Sequence, residues 1–97
     1  MCRQPKETLR EIASFCGRHG LHLISDEIFA QSIYQTPNVI DPVPFNSILS
    51  LDLMECIDRQ FVHVAYGMSK DYSANGFRLA ALHSRNEALL VAVTSIW

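Results

Sequence analysis

Two places in the 97-residue chain bring ionisable side chains to the ends of apolar runs. The run LHLIS at 21–25 leads directly into Asp26, and FVHVAY at 61–66 is followed four positions later by Lys70. Arg78 comes eight residues after Lys70, ahead of a third apolar run, LAALH at 79–83. In open α/β sheets the crevice beyond the carboxyl ends of the strands is where ligands bind, so both strand ends are candidate binding positions. Each residue also has an ordinary structural use. Aspartate at a strand end commonly caps the turn that follows, and lysine and arginine are usually solvated surface charges. The other lysine of the chain, Lys6, falls on the exposed face of the first helix.

Taken together these residues are more specific. HLISDEIFA at 22–30 and YGMSKDYSANGFRL at 66–79 resemble signatures of the fold-type I pyridoxal-phosphate enzymes, the class I/II aminotransferase superfamily. The resemblance leans toward 1-aminocyclopropane-1-carboxylate synthase and its fungal relatives. ETLREIASFCGRHG at 7–20 is similar to the helix that precedes the aspartate strand there, and the likeness runs along nearly the entire chain, weakest over 35–60.

The resemblance implies pyridoxal 5'-phosphate as cofactor, and it implies roles. Lys70 matches the catalytic lysine that forms a Schiff base with the cofactor aldehyde and then moves protons at the substrate Cα, which needs an unprotonated amine. Asp26 matches the aspartate that pairs with the protonated pyridine nitrogen and keeps the ring an electron sink. Arg78 matches the arginine that binds the cofactor phosphate through paired charge-assisted bonds, and Ser69 matches a serine that adds a hydroxyl to that phosphate. Gly76 is expected to allow backbone angles or a close approach that a side chain would hinder. The family acts on amino acids or S-adenosylmethionine, by transamination or by γ-elimination and ring closure, and a homodimer is expected for its full-length members.

Two positions depart from the family pattern. Phe29 stands where a tyrosine hydroxyl usually bonds the cofactor's ring oxygen, and Gly67 stands where many relatives carry a serine or threonine phosphate ligand. The family's NPxG segment would precede residue 1, and its small domain with the carboxylate-binding arginine would follow residue 97. The expectation is therefore a partial class I/II aminotransferase large domain over 1–97, inactive in isolation. The alternative is a truncated or degenerate homologue without catalysis. A dinucleotide fold is disfavoured because no GxGxxG turn follows any strand.

The elements that must position these residues follow from periodicity. Leu9, Ile12, Ala13 and Cys16 recur on one helical face, with Pro5 suited to the first turn and Gly20 to the left-handed position past the end, which predicts a helix over 5–19. The runs at 21–25, 61–66 and 79–83 predict short buried strands. The twelve residues at 67–78 show no helical periodicity and are short for a parallel crossover, so the third strand is expected antiparallel beside the second. Ser84 and Glu87 have capping-box spacing ahead of a helix at 88–97, whose last residue, Trp97, stands in a continuing helical pattern as though the element were cut. Prolines 37, 42 and 44 break the first half of 35–60, and SILSLDLMECID at 47–58 reads equally as strand or helix. The fold class is α/β: part of the large cofactor-binding domain, a mixed, mainly parallel sheet flanked by helices.

Composition excludes several function classes. The chain is 48% hydrophobic and 19% charged, an ordinary globular balance. Eight basic and ten acidic residues give a net charge of −2 with the basic ones scattered, so no footprint for nucleic acid or an anionic membrane is expected. Cys2, Cys16 and Cys56 are odd in number and widely spaced, which points to free thiols and a reducing, cytoplasmic setting. No apolar run approaches the ~18 residues that span a bilayer. His19, His22, His63 and His83 show no metal-ligand spacing and read as packed or surface histidines, and Tyr66 reads equally as a cofactor-facing or a core aromatic.

Overall fold

The computed structural model describes residues 4–34 and 36–96. Cys2 and Trp97, on which two of the expectations above fall, lie outside them. Helix α1, Lys6–His19, starts behind Pro5, whose carbonyl accepts the Leu9 amide, and ends at Gly20 with φ 61° and ψ 33°. Gly20 supplies the left-handed residue that lets Leu21 N–H return to the Cys16 carbonyl at 2.9 Å. Ala13 and Cys16 are buried and Leu9 packs beside them, as the periodicity indicates, whereas Ile12 of the same predicted face is exposed.

Three strands form one sheet in the order β1 (Leu23–Asp26), β2 (Val62–Gly67), β3 (Ala80–Ser84). β1 and β2 are parallel, with Leu23 opposite Val62 and Asp26 opposite Ala65. β2 and β3 are antiparallel, with Gly67 opposite Ala80 and His63 opposite Ser84. The sheet is thus mixed, with helices beside it, as the apolar runs and the short 67–78 connection imply. The core joins Ala13 and Cys16 of α1 to Val62 and Val64 of β2 through Ile48, Leu51, Leu53 and Ile57 of the long connection.

Four local expectations are corrected. The segment at 47–58 is neither strand nor α-helix: it makes a 3-10 turn at Ile48–Ser50 capped by the Ser47 hydroxyl, and a further turn in which the Cys56 and Ile57 amides return to Leu53. Its apolar residues at 48, 51, 53 and 57 face the core without keeping either period. The 67–78 connection contains a one-turn helix, α2, Met68–Asp71, too short to show a period, and a 3-10 turn at Asn75–Phe77. Helix α3, Glu87–Thr94, is capped by Asn86, whose side chain accepts the Leu89 amide at 2.9 Å. Ser84 ends β3 instead, because its hydroxyl accepts the Asn86 amide at 3.0 Å.

The fourth correction concerns burial. Only β2 is mostly buried; β1 alternates between half-buried and exposed, and β3 is exposed from Ala80 to His83. Apolar runs record what a strand can bury, and here the described residues put little against β3 besides α3. That helix is apolar all round, yet Val91 remains 67% exposed. The radius of gyration is 15.2 Å, against about 12.5 Å for a compact domain of this length.

Candidate active site

The carboxyl ends of the two parallel strands open into one cleft. Asp26 closes β1 and Gly67 closes β2, and Ala80, opposite Gly67, starts the antiparallel neighbour. The cleft has a volume of about 760 Å³ and is lined by Asp26, Tyr66, Gly67, Ser69, Arg78 and the first residues of β3, among others. Three of the four residues singled out in the sequence, Asp26, Ser69 and Arg78, therefore meet at one surface from three chain segments. Lys70 is not in that lining; it is exposed on α2, one position beyond Ser69. Asp26 also does the capping work expected of an aspartate at a strand end, since its Oδ1 accepts the Ile28 amide at 3.2 Å.

Backbone strain in this loop lies at Ser73, with φ 53°, and at Arg78, and not at Gly76. Arg78 has φ 55° and ψ 38°, a left-handed conformation that costs a side-chain-bearing residue on the order of 1 kcal/mol. Its guanidinium turns back to the Asn75 carbonyl at 3.3 Å. Gly76 has no left-handed φ and open space where a Cβ would stand, so neither backbone angles nor contacts within the described residues require glycine there. At Gly67 an added Cβ would approach nothing nearer than 3.4 Å, so the backbone leaves room for a Cβ at the position where the resemblance leads one to expect a serine or threonine.

Asp71 escaped the sequence reading. Its Oδ2 accepts the Gln31 amide at 2.7 Å and the Tyr66 hydroxyl at 3.0 Å, and its Oδ1 accepts the Ser32 hydroxyl. Burial pushes this carboxyl up, but the hydrogen bonds from Ser32, Gln31 and Tyr66 outweigh it and hold the group below the usual carboxylate range. Tyr66 is pushed up to about 12, first by burial and then by its hydrogen bond to Asp71. Tyr66 thus belongs to the cleft lining and anchors the Lys70 turn with its hydroxyl. Its partner is five residues along the chain, but the others of Asp71 lie 39 and 40 residues away, where no local pattern could reveal them.

Glu27 is a second unforeseen residue. It is 7% exposed, and its Oε1 accepts from Ser25 Oγ at 3.1 Å, Ser47 Oγ at 3.0 Å and the Ile48 amide at 2.9 Å. It locks the turn after Asp26 to the core segment at 47–48. Phe29, half-buried in the same turn, offers no hydroxyl. His63 is 1% exposed and lies in β2 between His22 and Ser84, as a packed histidine. Among the described residues no group of three or more His, Cys, Asp or Glu is arranged to hold a metal, and no helix is long and apolar enough to cross a membrane. Cys16 and Cys56 are free thiols.

Comparison with known proteins shows the family of the chain. The profile of the family described as Aminotransferase class I and II matches residues 4–96. The chain is 37% identical over 92 residues to 1-aminocyclopropane-1-carboxylate synthase 6 of Oryza sativa subsp. japonica, covering 95% of this chain and 16% of that protein. It is 43% identical over 88 residues to the probable aminotransferase tcpI of Claviceps purpurea, covering 90% of this chain and 20% of that one. The chain therefore spans a fifth or less of the length of these relatives. The family is pyridoxal-phosphate-dependent. The match over almost all of its length means that the chain belongs to the class I and II aminotransferase family.

Proposed function

We propose that the cleft is a pyridoxal phosphate site and that residues 1–97 are part of the large domain of an enzyme acting at the Cα of an amino acid. The observation that carries this reading is the meeting of Asp26, Ser69 and Arg78 at one cleft. The donor set fits the group: a carboxylate for a protonated ring nitrogen, and a hydroxyl with a guanidinium for a phosphate. When bound, pyridoxal phosphate supplies an electron-accepting ring that stabilises negative charge at Cα. Asp26 would pair with the protonated ring nitrogen, while Ser69 and Arg78 would hold the phosphate. Lys70, exposed on α2 one position beyond Ser69, would supply the amine for the cofactor aldehyde and for proton movement at Cα, and its four-carbon stem is flexible. The names of the relatives support two reactions, transamination and the synthesis of 1-aminocyclopropane-1-carboxylate, and amino acids or S-adenosylmethionine are the substrates of this reading. Homodimeric assembly and a cytoplasmic setting belong to the same reading. So does the apolar surface of β3 and α3, which suits coverage by the rest of a larger domain.

A second reading, a homologue without catalysis, is favoured by the exposed Lys70 and by Phe29 in place of the tyrosine. One experiment separates them. The chain is titrated with pyridoxal phosphate, reduced with borohydride, and its lysines are mapped by peptide mass spectrometry. Preferential labelling of Lys70, together with a visible absorption band lost in Lys70→Ala and kept in Lys6→Ala, supports the enzyme site. Equal labelling of the two lysines supports the second reading.

A further inference from the structure

The Asp71 carboxylate joins the two halves of the candidate site. One half runs from Asp26 through a series of tight turns. The Ile28 amide bonds Asp26 Oδ1 at 3.2 Å, the Ala30 amide bonds the Glu27 carbonyl at 2.9 Å, and the Ser32 amide bonds the Phe29 carbonyl at 3.1 Å. The far end of these turns, Gln31 and Ser32, donates to Asp71. The other half is β2 and α2, where Tyr66 donates to the same carboxylate and Lys70 immediately precedes it. Ala65, next to Tyr66, is the register partner of Asp26 and its carbonyl accepts the Glu27 amide at 2.9 Å. The contacts therefore close a ring: Asp26, the 27–32 turns, Asp71, Tyr66, Ala65 and back to Asp26.

We propose that Asp71 is a positioning residue for Lys70: by clamping α2 to the turns after β1 it fixes where the Lys70 amine stands relative to Asp26. This rests on the reading of Lys70 as the lysine that bonds the cofactor. Three donors on one carboxylate suit that task, because hydrogen bonds to an ionised acceptor are shorter and stronger than neutral ones and here come from three different residues on two segments. Without the clamp α2 is a single turn, with no capping side chain at its start, held by the Met68 amide on the Leu79 carbonyl at 3.3 Å and by the Ala74 amide on the Met68 carbonyl at 3.2 Å, neither of which ties it to the turns after β1. A displacement of about 1 Å at such a group costs on the order of a hundredfold in reactivity.

The test compares wild type, Asp71→Ala and Asp71→Asn by borohydride trapping with pyridoxal phosphate, reading the ratio of label on Lys70 to label on Lys6, with thermal unfolding of each chain in parallel. The expected result is a Lys70 preference in the wild type that falls roughly tenfold in folded Asp71→Ala. Asp71→Asn, isosteric but with one acceptor oxygen, keeps an intermediate ratio. A wild-type preference that survives unchanged in folded Asp71→Ala overturns the positioning role and leaves the cofactor site standing. Equal labelling in the wild type overturns the cofactor reading and the positioning role with it. If Asp71→Ala does not unfold cooperatively, Tyr66→Phe and Ser32→Ala, each removing one donor, replace it. Partial losses of preference that combine in the double variant support the clamp, and an unchanged ratio in the double variant overturns it.

Discussion

The Nδ1 atom of His22 lies 2.8 Å from Nε2 of His63, with the two rings stacked 17° from parallel, at the end of the sheet opposite the cleft. A contact this short needs one nitrogen to donate and the other to accept, so it holds only while the pair shares one proton between the facing atoms. On its other side His63 Nδ1 meets Ser84 Oγ at 2.8 Å, and that oxygen accepts the Asn86 amide at 3.0 Å where α3 begins. The chain of contacts thus runs from the entry of β1 through β2 to the cap of α3.

Acid is therefore expected to loosen the fold through His63. Burial, and then the charge of His22, lower its pKa from 6.5, so the native chain keeps it neutral where the unfolded chain protonates. Below about pH 6.5 the unfolded state binds more protons, so stability falls with pH until the lowered native value is passed. The unfolding midpoint by circular dichroism should drop between pH 7 and pH 5 by an amount that His63→Gln reduces. A variant with the wild-type slope would show that other groups carry it.

Gly17 is required by packing. A Cβ there would stand 2.1 Å from the Cys56 carbonyl oxygen and 3.2 Å from Ile57 Cα, both backbone atoms that cannot swing aside. Alanine gains up to about 1 kcal/mol of helix propensity over glycine, but forcing α1 off the 53–57 turn costs more. Gly17→Ala is expected to lower the unfolding free energy by about 1–3 kcal/mol in urea titrations. Gly76→Ala, with open space around it, should stay within about 0.5 kcal/mol of wild type.

What the sequence made legible follows from how far each signal reaches. The face of α1, its Gly20 stop and the antiparallel turn of β3 are encoded within a few residues, and they appear in the fold as read. Asp26 and Arg78 are legible as charges at the ends of apolar runs and Ser69 only through the family resemblance, and the fold brings the three to one cleft. Asp71, Glu27 and the strained Arg78 backbone are not, because their partners or angles arise only when distant segments meet. The segment at 47–58 hid its structure for a different reason: Ile48, Leu51, Leu53 and Ile57 face the core from irregular turns, so neither the period of a helix nor that of a strand could register.

Glu27 should prove more important to stability than its neighbour Asp26. Removing its carboxylate in Glu27→Ala strands the buried Ile48 amide and the Ser47 hydroxyl, each deprived of its acceptor inside the core edge. Leaving one such donor unsatisfied costs about 1–3 kcal/mol. Glu27→Gln keeps an acceptor oxygen of the same reach and should lose less than Glu27→Ala. Thermal unfolding ranks the variants, and hydrogen exchange at the Ile48 amide should speed up in the alanine variant while staying slow in the glutamine one. Equal exchange in the two would mean that burial and not Glu27 protects that amide.

Arg78 combines a strained backbone with the charge assigned to the phosphate, and substitution can separate the two. In Arg78→Gly the left-handed φ of 55° is no longer strained, which returns on the order of 1 kcal/mol. The added freedom of glycine in the unfolded chain offsets part of that, so stability should match wild type or exceed it by up to about 1 kcal/mol. Binding should move the opposite way, with pyridoxal phosphate weakened at least roughly tenfold by loss of the paired guanidinium bonds. Arg78→Lys keeps the strain and the charge but not the paired geometry, and should fall between the two in affinity with no gain in stability. Calorimetric titration with pyridoxal phosphate and with pyridoxal, which lacks the phosphate, isolates the contact. Only the phosphorylated ligand should weaken in Arg78→Gly; equal weakening of both would mean that Arg78 shapes the cleft and does not hold the phosphate.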